Sequence, residues 1–396
     1  MEITKKIKYI GVDDLELDLF EGQFQIPNGM AYNSYLINDE KIAIIDSVEI
    51  RFSSQWLGAI ERETKGRSPD FLIIQHMEPD HSSSVMRFAE RFPKAVIVAS
   101  ARAFEMMKSF FGEEFTDRRI VVSDKDFLDL GGRKLQFISA PMVHWPEVIM
   151  TYDTADKLLF SADAFGKFGA HRHRDEWKNE ARRYYFGIVG KYGKQVQALL
   201  KKLKGYEIKH ICSLHGPVLS ENLGYYLNLY DRWSAYQPES SGVCIAYASI
   251  YGNTKEAAEL LAKSLNAKNV EVSLNDLSRC DMFEAVAQTF KYDRLVLASA
   301  TYNADVFSPM KEFINHLTAR NYQNRYVAFV ENGSWSPMAT SMMKFMLKDC
   351  TNLKFAKTEV KINSSLNETS ARQIENLACE LAKVNCDFIT EIDDFY

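Results

Sequence analysis

Gln75-His76-Met77-Glu78-Pro79-Asp80-His81-Ser82-Ser83-Ser84 follows directly on the apolar run Phe71-Leu72-Ile73-Ile74. A short apolar run of this kind reads as a buried strand, and this one ends by releasing two imidazoles and two carboxylates at its rim. That is a poor recipe for a core. Pro79 argues against a regular helix or a continued ladder, while Ser82 to Ser84 offer an N-cap for a helix suggested by Val85, Met86, Phe88 and Ala89. The four side chains are therefore expected on a loop clamped between strand and helix.

Three further candidates each follow an apolar run: His144 in Ala140-Pro-Met-Val-His-Trp-Pro, Asp163 in Leu159-Phe-Ser-Ala-Asp-Ala-Phe-Gly, and His215 in Ile211-Cys-Ser-Leu-His-Gly-Pro. A single histidine at a strand end is ordinarily structural, but beside the opening cluster the three become candidate ligands. If the strand ends share one edge, His76, Glu78, Asp80, His81, His144, Asp163 and His215 supply more donors than one transition metal uses, and enough for two metals with open positions. Two divalent ions would be balanced by the three carboxylates and one bridging hydroxide. Imidazole and carboxylate without thiolate favour iron, manganese or zinc. His171, His173, His210 and His316 lack such settings and read as surface or supporting residues; His171 and His173 are the ones near Asp163 in sequence.

At 396 residues, 46% apolar and 26% charged, the chain suits two globular domains, or three. A formal net charge of -5 with scattered Lys and Arg argues against a nucleic-acid surface. Cysteines 212, 244, 280, 350, 379 and 386 form no Cys-x-x-Cys pair and read as reduced, mostly buried thiols. No apolar run is long enough for a membrane span, and no signal peptide opens the chain, so a cytoplasmic location is expected.

Before about residue 235, strands are expected at 43–45, 71–74, 95–98, 120–122, 134–138, 148–152, 157–160 and 208–213, with a helix over 193–203. Asp129-Leu130-Gly131-Gly132 and Asp153-Thr154-Ala155-Asp156 fit hairpin turns, which points to antiparallel pairs with helices outside. Asp231 to Gly242, DRWSAYQPESSG, is the best linker and divides the chain into 1–240 and 241–396. Beyond it, strands at 243–248, 270–274, 294–298, 326–330 and 358–362 alternate with helices at 255–265, 309–319, 338–348 and 368–384. That spacing predicts a doubly wound five-stranded parallel sheet with its ligand at the carboxyl edge.

Ser249-Ile250-Tyr251-Gly252-Asn253-Thr254, between a strand and a helix, reads either as a plain turn or as a phosphate cradle of hydroxyls and backbone N–H groups. It is neither Gly-x-Gly-x-x-Gly nor a Walker loop. Ser299-Ala300-Thr301-Tyr302-Asn303-Ala304-Asp305 and Asn332-Gly333-Ser334-Trp335-Ser336 follow neighbouring strands and would lie at the same edge. Tyr302 and Trp335 could flank a flat ring whose polar edge meets backbone amides.

His76-x-Glu78-x-Asp80-His81 with His144, Asp163 and His215 resembles the metal signature of the metallo-β-lactamase-like fold, in which a dizinc hydrolase would carry His where this chain has Glu78. With Glu78, and with the phrases HWPE and DAFG, the pattern looks like the flavodiiron proteins. The second half is similar to flavodoxin, with Tyr251 where flavodoxin loops often have Thr or Ser, which leaves Tyr251 a backbone role only. The resemblance implies an αββα sandwich holding two irons, followed by a flavodoxin-like domain holding FMN. It implies that His76, Glu78 and His144 bind one iron, that Asp80, His81 and His215 bind the other, and that Asp163 bridges them.

A two-electron flavin beside two metals suits a reduction; hydrolysis needs no electrons. The expectation is an oxidoreductase that reduces O2 to water, NO to N2O, or both. The alternative is a dizinc hydrolase fused to a regulatory flavodoxin-like domain. The resemblance also implies a head-to-tail homodimer, or a dimer of such dimers, in which Trp335 either reaches across the interface or simply walls the flavin pocket. No Cys-x-x-Cys pair marks a fused rubredoxin, so electrons are expected from a separate rubredoxin-like or other donor protein.

Overall fold

The computed structural model describes residues 1–172 and 177–384. The chain separates into two compact units, one holding Met1–Tyr185 and Lys194–Tyr230, the other Phe186–Gly193 and, among the described residues, those from Asp231 to Val384.

Beside two small two-stranded sheets, the first unit carries two large ones. One runs Ile7–Tyr9, Tyr35–Asn38, Ile42–Ile45, Phe71–Ile74, Val96–Ala99, Arg119–Val121 in spatial order; the other runs Phe127–Asp129, Lys134–Ser139, Ile149–Asp153, Leu158–Phe160, His210–Cys212. Alternate residues explain the packing. Tyr35 and Ile37, Ala43 and Ile45, and Phe71 and Ile73 join Leu135, Phe137, Ile149, Leu158 and Phe160 in one core between the sheets. The intervening Leu36, Ile44, Leu72 and Ile74 are also fully buried. Both faces of these strands are thus covered, which is why they read as continuous apolar runs and not as alternation. The turns expected at 129–132 and 153–156 join antiparallel partners, and the helix expected over 193–203 spans Gly193–Leu203.

The second unit is a parallel sheet in the spatial order Val272–Asp276, Ser240–Ala248, Tyr292–Tyr302, Arg325–Asn332, then Leu353–Phe355 and Val360–Ile362. The reversal between the first and third strands in sequence is the switch point at which doubly wound sheets bind ligands. One face packs Val243, Ile245, Val296 and Val330 against Ala257, Leu261 and Leu265 of the helix Asn253–Asn266, and against Ile374, Leu377 and Leu381 of the helix Glu368–Lys383.

Several sequence expectations are corrected. Pro79 does not bar a helix: it occupies the first position of a helical turn, Pro79–Ser82, where its missing N–H costs nothing. Asp80 and His81 therefore sit on that turn and not on an irregular loop. Ser84, not a hydroxyl-capped Ser82 to Ser84 run, precedes the helix Val85–Arg91, and its side chain caps nothing. The strand read as 294–298 continues to Tyr302 and returns through Asp305–Val306, because Asn303 and Ala304 both adopt positive φ and close a tight hairpin.

The strand expected at 358–362 is the shorter Val360–Ile362, and a strand not read from the sequence, Leu353–Phe355, pairs with the opposite end of the same neighbour. A helix not read from the sequence, Met282–Lys291, presents Phe283, Val286, Ala287 and Phe290 inward and is capped by Asp281. The 231–242 linker shrinks, since its ends belong to the helix Leu223–Ser234 and to the strand that begins at Ser240. Of the thiols, only Cys212 and Cys244 are buried; Cys280, Cys350 and Cys379 are half-buried, and Cys386 lies outside the described residues. Among the described residues no helix is long and apolar enough to cross a membrane.

Candidate metal centre and cofactor pocket

The strand Phe71–Ile74 ends beside Asp46, whose Oδ1 accepts the backbone N–H groups of Gln75 at 2.8 Å and His76 at 3.3 Å. Ser47 then takes the carbonyl of His81 with both its backbone N–H and its hydroxyl. Ser82 donates to the carbonyl of Met77 at 2.8 Å. These contacts convert a flexible tetrad of side chains into a fixed one. Asn33 does the same for the His215 loop, donating from its amide to the carbonyls of Ser213 and Gly216, each at 2.8 Å. Between Asp163 and His215 the backbone must pass close: a Cβ on Gly166 would meet the carbonyl of Asp163 and the Ser213 hydroxyl at 2.9 Å. Only glycine fits there.

The seven expected donors come together as two groups, His76, Glu78, His144 and Asp163, and Asp80, His81 and His215. In the first, His144 Nε2 stands 3.1 Å from both Glu78 Oε2 and Asp163 Oδ2, and His76 Nε2 stands 3.3 Å from Glu78 Oε2 and from His144 Nε2. In the second, His81 Nε2 lies 3.0 Å from His215 Nε2 and 3.2 Å from Asp80 Oδ2. The two oxygens of Asp163 divide between the groups, Oδ2 toward His144 and Oδ1 3.3 Å from His81. His215 Nδ1 lies 2.7 Å from the carbonyl of Ala31, which places its proton there and turns Nε2 to the centre. His171 stands apart, its ring 4.5 Å from that of Tyr9; His173 lies outside the described residues.

In the second unit, a cavity of about 580 Å³ opens at the carboxyl edge of the sheet. The loop at 249–254, the hairpin at 300–304 and the loop at 332–336 line it, together with Met338 and Ser364. Of the residues singled out in the sequence, Gly252, Ser299 and Asp305 do not. Gly252, at φ +95°, makes the turn before the helix and donates to Ser249 Oγ. Ser299 is buried with its hydroxyl on the carbonyl of Ala300, and Asp305 is held by Lys311 at 2.6 Å. Met338 and Ser364 gave no sequence signal. The loops are braced from behind: Thr301 Oγ1 accepts the N–H groups of Met338 and Ala339, and Ser364 donates to Ser334 Oγ. Tyr251, Tyr302 and Trp335 remain exposed at the rim, Trp335 by 81%.

Residues 30–216 match the ODP family of β-lactamase-fold domains and residues 244–362 match a flavodoxin domain. The chain is 28% identical to the anaerobic nitric oxide reductase flavorubredoxin of Salmonella arizonae, over 88% of this chain and 75% of that protein. Among solved structures, the flavodiiron protein from Giardia intestinalis superposes with a TM-score of 0.91 at 26% identity, covering 96% of this chain and 95% of that one. The rubredoxin oxygen:oxidoreductase of Desulfovibrio gigas superposes at 0.90 and 24% identity over 97% and 98% of the two chains, a likeness of fold. Over both halves the chain is similar to the flavodiiron proteins. It is an oxidoreductase with FMN and non-haem diiron as its cofactors.

The donor chemistry of the site fits metal cations. Both oxygens of Asp80 and Oδ1 of Asp163 are buried with no hydrogen-bond donor, an arrangement that is costly unless cations occupy the space between them. Nitrogen and oxygen atoms ~3.0–3.4 Å apart are the edges of a polyhedron with bonds of ~2.0–2.2 Å. Without metal the charges strain against one another. Burial and the neighbouring Glu78 and Asp163 push Asp80 up to about 8, even with His81 opposing. Burial opposes the charged form of His144, but Asp163 and Glu78 hold it up at about 9. Burial and the adjacent His81 bring His215 down to about 4.

Two side chains that the sequence reading passed over complete the surroundings. Tyr184, at the end of the helix Trp177–Tyr184, is fully buried 5.4 Å from the His215 ring, and burial beside Asp163 keeps its phenol protonated. Phe20 packs on the same ring at 5.6 Å. The cofactor pocket fits a flavin: its volume suits a small-molecule site, Asn253 and Thr254 at a helix N-terminus line it, and exposed aromatic rings stand at its mouth.

Proposed function

We propose that this chain is a flavodiiron protein that reduces O2 to water, NO to N2O, or both. In this reading His76, Glu78 and His144 hold one iron, Asp80, His81 and His215 hold the other, and Asp163 offers one oxygen to each. The observation that supports it most is the division of the two Asp163 oxygens between the two donor groups. Glu78 at a position where a dizinc hydrolase would carry His favours iron. When bound, the irons supply electrons and open coordination positions for a diatomic gas.

The chain's own residues set the conditions. The buried carboxylates and imidazoles fix the spacing of the pair, and Phe20, Tyr184 and Trp145 surround the donors with rings that limit water. In the second unit, residues Ser249 to Thr254 take the FMN phosphate, while Tyr302 and Trp335 flank its ring. Thr301, Gly333 and Ser334 shape the wall; Gly252, Ser299 and Asp305 act from behind it. Reduction of one O2 takes four electrons and four protons, and coupling of two NO to N2O and water takes two of each.

Electrons come from a separate donor. The names of the Salmonella and Desulfovibrio relatives support a rubredoxin-type protein. The working division is 1–240 for iron and 241–396 for FMN, in a head-to-tail homodimer located in the cytoplasm. Metal and flavin analysis of the purified chain tests this: two irons and one FMN per chain are expected. Two zincs, with ester hydrolysis in the absence of any reductant, would replace this reading with the hydrolase.

A further inference from the structure

One buried carboxylate outside the seven donors stands directly behind one of them. Glu147 follows His144 in the phrase HWPE, and its side chain has no exposure. Its Oε1 lies 2.8 Å from His76 Nδ1 and accepts the backbone N–H of Met77, also at 2.8 Å. Its own carbonyl accepts the hydroxyl of Ser100, which in turn caps the helix Ala101–Phe111 through Ala103 N. The residue is thus held by the metal loop on one side and a helix terminus on the other. Its second oxygen has no hydrogen-bond partner among the described residues.

A buried anion this poorly compensated is expensive to keep. What it faces gives a reason for it. Among the described residues three of the four imidazoles show unequal backing. His76 donates from Nδ1 to the Glu147 carboxylate, His215 to the neutral carbonyl of Ala31, and Nδ1 of His81 has no partner. Carboxylate behind imidazole orients a ligating ring and raises its basicity. The two donor groups, alike in composition, are therefore unlike in charge behind the ring.

We infer that Glu147 is a positioning residue: it holds the His76 proton on Nδ1 so that Nε2 is free for metal, and it makes the His76 side of the centre the more electron-rich of the two. This rests on the ligand assignment proposed above. The electron-rich side favours Fe(III), so its one-electron reduction to Fe(II), by dithionite in a titration, occurs at the lower potential.

Two substitutions separate the parts of this role. Glu147→Gln keeps an oxygen that accepts both N–H groups but removes the charge; Glu147→Ala removes both. Anaerobic equilibrium titration of the full chain with Fe(II) is expected to find two tight sites in the native protein. In Glu147→Ala one of them weakens by about 10–100-fold. Glu147→Gln retains both sites, while dithionite titration finds one iron couple moved to higher potential and the FMN couple unmoved. The inference is overturned if Glu147→Ala binds both irons as tightly as the native chain, or if the iron couples of Glu147→Gln do not move. Should the alanine variant fail to fold, the glutamine potentials decide alone. A native chain that takes up no second iron overturns the ligand assignment itself, a different result from an unaltered Glu147 variant.

Discussion

Asp163 and Glu78 differ in what each can hold. Both oxygens of Asp163 face donors, one in each group, whereas Glu78 contacts only the His76 and His144 side. Asp163→Ala is therefore expected to lower iron at both positions and Glu78→Ala at one, with FMN retained and turnover lost in both; plasma emission analysis of the purified variants reads the difference. Protonation gives a second test. His144 and Asp80 bind their protons up to about 9 and about 8 in the absence of metal, so metal must displace protons below those values. Apparent affinity for Fe(II) is expected to rise as pH goes from 6 to 9 and to level off above, and titrations at stepped pH would show no slope if these groups were not ligands. All seven donors were legible because His and Asp at the ends of apolar runs stand out against a core. Glu147 and Tyr184 were not, because a carboxylate after a proline and a tyrosine on a helix look like surface and core until the fold brings them to His76 and Asp163.

At the level of elements, the cofactor pocket depends on hydrogen bonds between loops more than on the loops' own sequences. Thr301 accepts from Met338 and Ala339 at 2.9 and 3.1 Å, so the hairpin at 300–304 caps the helix Ala339–Met346. Thr301→Val is expected to lower stability by about 1 kcal/mol, as for a lost helix cap, and to weaken FMN binding; a fluorescence titration with FMN after stripping the flavin would find no change if the cap were idle. The parallel sheet was readable because its strands are apolar runs separated by helices at regular spacing. The strand Leu353–Phe355 and the hairpin after Tyr302 were not, the hairpin because positive φ at Asn303 and Ala304 is a conformational choice that Asn suggests but Ala does not. Pro79 misled for a related reason: the same ring that breaks a helix interior is well placed at its first position.

For the whole molecule, the claim at stake is that a metal pair in one unit and a flavin in the other serve one reduction. Composition argued against a nucleic-acid surface, and the two halves could be told apart by strand spacing. Neither half alone names a reaction, because the sandwich donors would suit hydrolysis and the flavodoxin domain would suit simple electron carriage. The deciding measurement is anaerobic single turnover: the full chain with its iron and FMN, reduced by dithionite freed of excess, mixed rapidly with O2 or with NO while flavin absorbance is followed. Four electrons per chain, two in the flavin and two in the irons, should consume about one O2, or couple NO to N2O, with the flavin reoxidised within the same turnover. Flavin that reoxidises no faster than in the Asp163→Ala variant with either gas would contradict the account.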